Sequence, residues 1–336
     1  MDQALAAAAI DVRRQTRASR VTGMAGLALA ALAISMPFWA ETDLLRTGIE
    51  LLYLLALAQL WNLMAGFGGL VSFGQQAFIG IGAYALVLFG YRLGLNPFLS
   101  ILIGAALAGL FAWPMSKLLF RLQGAYFAVG TWIMAECWRL IFANWTALGG
   151  GTGVSITQTV RDIAPWWRNA LTFWFAAAIG LGSVLAIYLL LRSRLGLALT
   201  AVRDSEPASE SIGISVPRLK TLVYVGAAAG FGLVGGLIFL TKLRISPDAA
   251  VSMNWSVMVV FIVVVGGIGT IEGPILGTIL YFALRQYLAD YGSIYMIVYG
   301  ALAIVVMLTM KGGIWGVIQR RTDLRLFPVQ RRVVIK

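Results

Sequence analysis

Long apolar runs, separated by short polar segments, recur along almost the whole chain of 336 residues. A helix that spans a lipid bilayer needs roughly 20 mainly apolar residues, because its backbone polar groups must pair within the segment. The pattern predicts ten such segments, the last two of which are separated near Asp290. They lie at 21–40, 48–66, 77–89, 97–115, 124–143, 170–191, 221–241, 254–271, 274–289 and 293–310. The predicted fold is an all-α, polytopic bundle of transmembrane helices.

The basic residues predict the orientation of this bundle. With ten crossings and the N-terminus in the cytoplasm, 18 of the 26 Lys and Arg residues lie on the cytoplasmic side. Cytoplasmic loops are enriched in Lys and Arg, and the opposite orientation would place all of these residues outside. Both termini are therefore predicted to be cytoplasmic. The predicted organisation is a basic N-terminal segment at 1–20, one transmembrane domain at 21–316 and a basic tail at 317–336.

Composition excludes several classes of protein. The chain is 60% hydrophobic and 12% charged, whereas a soluble domain carries about 25% charged residues. The net charge of +12 is spread over the short inner segments, which argues against a nucleic-acid-binding face. The chain has no His and one Cys, so the sequence offers no metal cluster, no intrachain disulfide and no His general base. We expect Cys137 to be a small buried residue. We also expect the chain to have no catalytic residues and no bound cofactor.

A glycine-rich stretch at 66–84 is the most distinctive motif of the chain. Its first half contains too many glycines for a stable helix, and non-helical backbone in a membrane survives only against protein or a water-filled cavity. We therefore predict that Asn62, Ser72, Gln75 and Gln76 lie near a central substrate pathway. The alternative is that small residues here only allow close packing of helices. A second glycine-rich stretch at 266–277 is a candidate partner in an internal repeat.

Charged residues inside the predicted spans are few. Glu136 is a candidate for the substrate pathway, because an intramembrane charge is costly and usually functional. The alternative is that Glu136 and Arg139, three residues apart on one helix, neutralise each other.

The inner segment at 192–220 is predicted to contain two short helices. Ser205 can cap the second helix, with Pro207 in its first turn and Gly213 just past its end. Glu206 and Glu210 lie one turn apart on that helix, which suits docking into a partner protein. The alternative is an ordinary solvated loop helix.

Several of these motifs, in this order, resemble the permease subunits of bacterial ABC importers for branched-chain amino acids, the LivM-type permeases. The resemblance covers about residues 51–316. It rests on Asn62 with 66–84, on 121–128 followed by Glu136, on the glycines at 149–153, on 195–214 with Arg203, Asp204 and Glu210, on 265–277, and on 311–316. One departure is Ala125, where the family often has a more polar residue.

The resemblance implies a location in the bacterial inner membrane and a set of partner proteins. These are a second related permease, two cytoplasmic ATPase subunits and an external or periplasmic substrate-binding protein. The ATPase subunits would bind ATP and Mg²⁺, in agreement with the absence of a Gly-x-x-x-x-Gly-Lys-[Ser/Thr] phosphate loop from this sequence. The segment 192–220 would contain the coupling loop, with Arg203, Asp204, Glu206, Glu210 and Gly213.

Three alternatives to this function remain open at the level of sequence. The wider family also transports urea and aromatic or other carboxylates. A stand-alone secondary transporter or channel would need its own coupling-ion site, for which the spans offer little besides Glu136. A membrane-embedded enzyme lacks support, since the sequence has no His and no paired intramembrane carboxylates.

Overall fold

The computed structural model describes residues 10–13, 17–288, 294–310, 312–322, 326–328 and 332–335. Over these residues the chain is a helical bundle with two short antiparallel β-ribbons. The helices are α1 (Arg17–Trp39), α2 (Thr42–Asn62), α3 (Gln75–Ala85), α4 (Pro97–Leu119), α5 (Ala125–Asn144), α6 (Pro165–Arg192), α7 (Arg194–Asp204), α8 (Glu206–Ser211), α9 (Val216–Lys242), α10 (Pro247–Ala250), α11 (Met253–Gly266), α12 (Glu272–Leu288), α13 (Ile294–Thr309) and α14 (Gly313–Thr322). The strands are β1 (Ile10–Arg13), β2 (Val154–Ser155), β3 (Arg244–Ile245) and β4 (Arg332–Ile335).

Each of the ten predicted apolar segments coincides with a helix, namely α1 to α6, α9 and α11 to α13. Within the described residues, six stretches are long and apolar enough to cross a bilayer by themselves. They are Thr42–Phe67, Pro97–Leu119, Pro165–Arg192, Val216–Lys242, Pro247–Gly266 and Ile297–Thr322. The chain is therefore a multi-pass helical membrane protein, as the sequence predicts.

The two β-ribbons are the departure from the all-α prediction. Strand β1 pairs with β4, with Ile10 opposite Ile335, so segments near the two ends of the chain lie side by side. Strand β2 pairs with β3 and joins the loop after α5 to the chain that follows α9. Both ribbons connect polar segments outside the predicted spans, where a helical apolar pattern gives no information.

Helix α9 lies at the centre of the bundle, packed against α3 and α4, while α2 packs against α6. Glycines allow the closest of these contacts. A Cβ atom at Gly82 of α3 would overlap the carbonyl oxygen of Gly232 on α9, and one at Gly235 would overlap the backbone of Ile79. Close backbone approach through small residues is the usual way in which membrane helices gain packing energy.

Two glycine-rich breaks interrupt the helices. Helix α2 ends in a π-helical turn at Leu63–Phe67, and the chain is non-helical from 68 to 74 before α3 begins at Gln75. Helix α11 ends at Gly266, earlier than predicted, and α12 begins at Glu272. We call 66–74 the first break and 267–271 the second break. The prediction of irregular backbone in the first half of 66–84 is confirmed.

The inner segment folds as predicted into the two short helices α7 and α8. The Ser205 hydroxyl accepts a hydrogen bond from the Ala208 N–H at 3.4 Å, and Pro207 lies in the first turn. The residue Gly213 follows the helix with φ +86°, a conformation that costs little only for glycine. Helix α8 is consequently short and well bounded.

Candidate functional site

Asn62 joins the two glycine-rich breaks. Its fully buried side chain donates a hydrogen bond to the Thr270 carbonyl at 2.7 Å and accepts one from the Gly269 N–H at 2.8 Å. One turn earlier on α2, the Gln59 amide donates to the Ile271 carbonyl at 2.7 Å. Broken helices leave backbone groups unpaired, and in a membrane protein other groups must satisfy them. Here two side chains of α2 satisfy three backbone groups of the second break.

The inner segment contacts the same place. Arg203, near the end of α7, donates from Nη1 to the Gly66 carbonyl at 3.2 Å, and it also pairs with Asp204 at 3.0 Å. A Cβ atom on Gly269 would lie 3.5 Å from the same guanidinium nitrogen. Arg203 therefore connects the loop at 192–220 to both breaks. The family resemblance implies a role for Arg203 only as part of the coupling loop.

The other predicted residues of the inner loop lie on its surface. Glu206 forms an ion pair with Lys220 at 2.5 Å, which links α8 to the first turns of α9. The side chains of Glu210 and Ile212 are exposed, the latter to 74%. The exposed carboxylate and the exposed apolar side chain are therefore accessible at the surface of the loop, and their docking role stays a prediction.

Three of the predicted pathway residues lie around the start of α3 and are almost fully buried. The hydroxyl of Ser72 accepts from the Gly74 N–H at 3.1 Å, and the Ser72 carbonyl accepts from the indole of Trp61 at 2.8 Å. The Gln76 carbonyl group accepts from the hydroxyl of Ser256 on α11. Gln75 differs, because both of its buried amide atoms have no hydrogen-bond partner among the described residues.

Glu136 lies apart from these residues on α5. Its Oε1 is 2.6 Å from Nη2 of Arg139, whose Nη1 is 2.6 Å from Asp248 of α10. The mutual neutralisation that the spacing allows is present, and Asp248 extends it to a third charge.

The neighbouring Cys137 is exposed, so the expectation of a buried cysteine is wrong. Apolar periodicity marks a helix face but does not decide whether lipid, protein or a partner covers it.

A cavity of about 610 Å³ opens between α2, α11, α12 and α13. Its wall carries Glu50, Lys242 and Arg285, and its apolar part includes Trp255, Phe261 and Phe73. None of the five predicted pathway residues belongs to this wall among the residues that the structure describes, although Phe73 lies between Ser72 and the start of α3. Their proposed role in the pathway stays a prediction.

The charged groups of the cavity were missed at the sequence level. Glu50 and Arg285 both lie inside predicted spans, but the sequence analysis assigns neither of them a role. The signal that could have found them is the rarity of charges within spans. Their convergence with Lys242 could not be predicted, since Lys242 lies 192 positions after Glu50 and 43 before Arg285.

The chain is similar to known permease components of branched-chain amino acid transport systems. The family model described as "Branched-chain amino acid transport system / permease component" matches residues 44–307. The high-affinity branched-chain amino acid transport system permease protein LivM of Escherichia coli is 26% identical over 313 residues, covering 86% of this chain and 73% of the relative. LivM of Salmonella typhimurium gives the same identity and coverage. A probable LivM of Methanocaldococcus jannaschii is 25% identical over 57% of this chain and 55% of the relative.

No solved structure matches the chain significantly. The family model nevertheless covers both helix breaks, the inner loop and every helix that lines the cavity. The chain therefore belongs to the family of permease components of branched-chain amino acid transport systems.

Proposed function

We propose that this chain is a permease subunit of an ATP-driven ABC importer for branched-chain amino acids and forms half of the translocation pathway. The family match over 44–307 is the observation that carries the proposal. The cavity supports it, because its size falls in the range of about 300–1,000 Å³ typical of small-molecule sites and much of its wall is apolar.

The proposed complex contains a second, related permease, two cytoplasmic ATPase subunits and an external or periplasmic binding protein. The ATPase subunits bind ATP and Mg²⁺ and supply the energy, whereas this chain provides the path through the bilayer. The exposed surface of α8, with Glu206 and Glu210, is the proposed contact with an ATPase subunit. Its connection through Arg203 to Gly66 gives a force at that surface a route into the membrane domain.

The proposed topology has ten crossings of the bacterial inner membrane, with both termini in the cytoplasm. Two observations support it. Ten apolar helices coincide with the ten predicted segments, and the pairing of β1 with β4 requires segments near the two ends to lie on one side. In this arrangement both breaks and the inner loop lie toward the cytoplasm, and the charged part of the cavity lies toward the outside.

Reconstitution of the complex tests the proposal. The chain should co-purify with the partner subunits and, in proteoliposomes, should take up radiolabelled leucine only with ATP and the binding protein present. Glu210→Arg should weaken ATPase association or uncouple hydrolysis from uptake. The matched control is the charge reversal Glu41→Arg, at an exposed residue on the opposite side of the bundle. This variant should change neither the ATPase association nor the coupling of hydrolysis to uptake.

Two results would contradict the proposal. Uptake of leucine by the chain without ATPase subunits would favour a stand-alone transporter or channel. Uptake of urea or aromatic carboxylates, with none of leucine, would keep the importer and change its substrate.

A further inference from the structure

Three charged side chains and a tyrosine converge on one part of the cavity. Arg285 of α12 forms an ion pair with Oε1 of Glu50 on α2, and the hydroxyl of Tyr53 donates to the same oxygen at 3.0 Å. Both donors reach Oε1, and within the described parts of the chain Oε2 of Glu50 accepts no hydrogen bond and is open to a further donor. The side chain of Glu50 is 27% exposed and that of Arg285 47% exposed, so both remain accessible from the cavity.

Lys242 has a different environment. It is the last residue of α9, and its Nζ lies 4.8 Å from the centre of the Trp255 ring and 5.7 Å from that of Phe239. In the described part of the chain, no carboxylate lies within 4.0 Å of this ammonium group. Lys242 therefore presents an ammonium group that is held by aromatic rings and forms no ion pair among the described residues, although Glu50 of the same cavity is near enough to attract it electrostatically.

The charges lie at one end of an apolar wall. Helix α11 contributes residues from Asn254 to Val264 to the cavity, which corresponds to about 15 Å along the helix axis. Trp255 and Asn254 are at the end near Lys242, and the side chains that follow are Val257, Met258, Val260, Phe261 and Val264. A ligand with charged groups at one end and an apolar chain at the other would match this division.

Lipid is a poor occupant for this arrangement. Glu50 lies eight residues into α2, or about 12 Å along the helix from Thr42. A charge at such a depth is costly unless it faces water, another charge or a polar ligand. A zwitterion provides one group for each sign of charge in the cavity and adds no net charge.

We propose that this cavity binds the α-amino acid zwitterion, with Lys242 contacting the α-carboxylate, Oε2 of Glu50 contacting the α-ammonium, and the α11 wall contacting the aliphatic side chain. Arg285 and Tyr53 position the Glu50 carboxylate. The proposal rests on the proposed function for its substrate class and assigns residues to that substrate. No chemical step on the substrate is involved.

The test is protection of a single cysteine in the cavity. Asn254→Cys is introduced into a Cys137→Ala background, and the assembled permease–ATPase complex in proteoliposomes is exposed to a membrane-impermeant thiol reagent. Three ligands of matched shape are compared: leucine, isoamylamine without the carboxylate, and 4-methylpentanoate without the ammonium. Uptake of leucine by the complete importer is measured separately and tests the proposed function on its own.

Leucine should protect the cysteine at a concentration at least tenfold lower than either analogue. Lys242→Gln should raise the concentration of leucine needed about tenfold or more, the usual cost of losing a hydrogen bond to a charged group, and should leave isoamylamine unchanged. Glu50→Gln should weaken leucine and isoamylamine but not 4-methylpentanoate. The matched control is Arg46→Gln, which removes an exposed positive charge of α2 that lies outside the cavity wall.

The outcomes separate the two claims. Equal protection by leucine and its one-charge analogues, in the protein that carries Asn254→Cys but no change at Lys242 or Glu50, would overturn the inference. This holds whether or not the Lys242 and Glu50 variants fold. Absence of protection by leucine in a complex that imports leucine would also overturn it. Protection with the expected selectivity, in a complex that imports no leucine, would support the site and refute the importer.

Discussion

Asn62 offers the most direct test of the connection between the two helix breaks. Replacement by Leu keeps a side chain of similar size and removes both of its hydrogen bonds, to the Thr270 carbonyl and from the Gly269 N–H. Both backbone groups belong to a non-helical segment against buried protein. In the altered chain they would have no partner on α2.

The expected loss of stability can be bounded from this geometry. Hydrogen bonds between helices in a membrane contribute about 0.6 kcal/mol each on average, so two of them set a lower bound of about 1 kcal/mol. If neither backbone group finds a new partner, each costs about 1–3 kcal/mol, which gives an upper bound of about 6 kcal/mol. We expect Asn62→Leu to lower the free energy of unfolding by an amount between these limits.

Gln59→Leu provides an internal comparison on the same helix. Gln59 makes one hydrogen bond to the second break, and its Oε1 is buried without a partner in the described chain, so its removal also relieves an unpaired group. Gln59→Leu should therefore lower the free energy of unfolding by less than Asn62→Leu. The exposed control is Asn144→Leu, where a single bond to the Leu140 carbonyl at the end of α5 is removed, with an expected change within about 0.5 kcal/mol.

Two assays decide the matter. Equilibrium unfolding in mixed micelles measures stability, and the ratio of amino acid taken up to ATP hydrolysed measures coupling in the reconstituted importer. Asn62→Leu should lower both the stability and the ratio. A loss no larger than that of Gln59→Leu, together with an unchanged ratio, would show that the breaks do not depend on this side chain.

Three further substitutions and one labelling experiment test other parts of the structure. Gly82→Ala should destabilise the bundle by about 1–3 kcal/mol in the unfolding assay, since the added methyl group overlaps the Gly232 carbonyl. The control Gly226→Ala on α9 places its methyl group in open space and should be neutral or slightly stabilising in the same assay. Gln75→Met should stabilise this conformation by about 1–3 kcal/mol and slow uptake, if another transport state pairs the amide; faster uptake would contradict this. Gly213→Pro should leave the protein in the membrane but reduce coupling in the uptake assay, because proline cannot adopt φ +86°. Tags on the two ends of the chain should both be inaccessible from outside intact cells, and labelling of either one without permeabilisation would refute the proposed topology.

The helices could be predicted from sequence because each apolar run is long enough to leave few alternatives in a bilayer. The predicted segment 221–241 gave the end of α9 to within one residue, whereas the helix begins five residues earlier at Val216, because its polar first turns fall outside the apolar run. The bounds of α8 follow from local chemistry, a serine cap and a terminal glycine, which act within a few residues. Such features are recorded in the order of residues along the chain and require no knowledge of the tertiary structure.

The contacts that could not be predicted depend on which faces of the helices meet. Asp248 joins the ion pair of Glu136 and Arg139 from 109 positions beyond Arg139, and nothing in the spacing indicates it. Exposure of Cys137 follows from the arrangement of neighbouring helices around α5. The role of Asn62 in the pathway stays a prediction, and its hydrogen bonds to a second glycine-rich segment more than 200 positions away could not be predicted from the spacing.

The first break is the element that can transmit a change from the inner loop to the cavity. Arg203 holds it at Gly66, where a Cβ atom would lie 2.6 Å from the Gly269 nitrogen, so the two breaks are in close backbone contact there. At its other end, the Phe73 carbonyl oxygen lies 3.4 Å from the hydroxyl oxygen of Ser256 on α11, and Phe73 itself lines the cavity. The five non-helical residues at 68–72 therefore lie between a contact with the loop at Gly66 and a contact with the cavity wall at Phe73. Backbone without helical hydrogen bonds can change its dihedral angles at lower cost than a helix, so we propose the break as the hinge between the proposed ATPase contact and the opening or closing of the cavity.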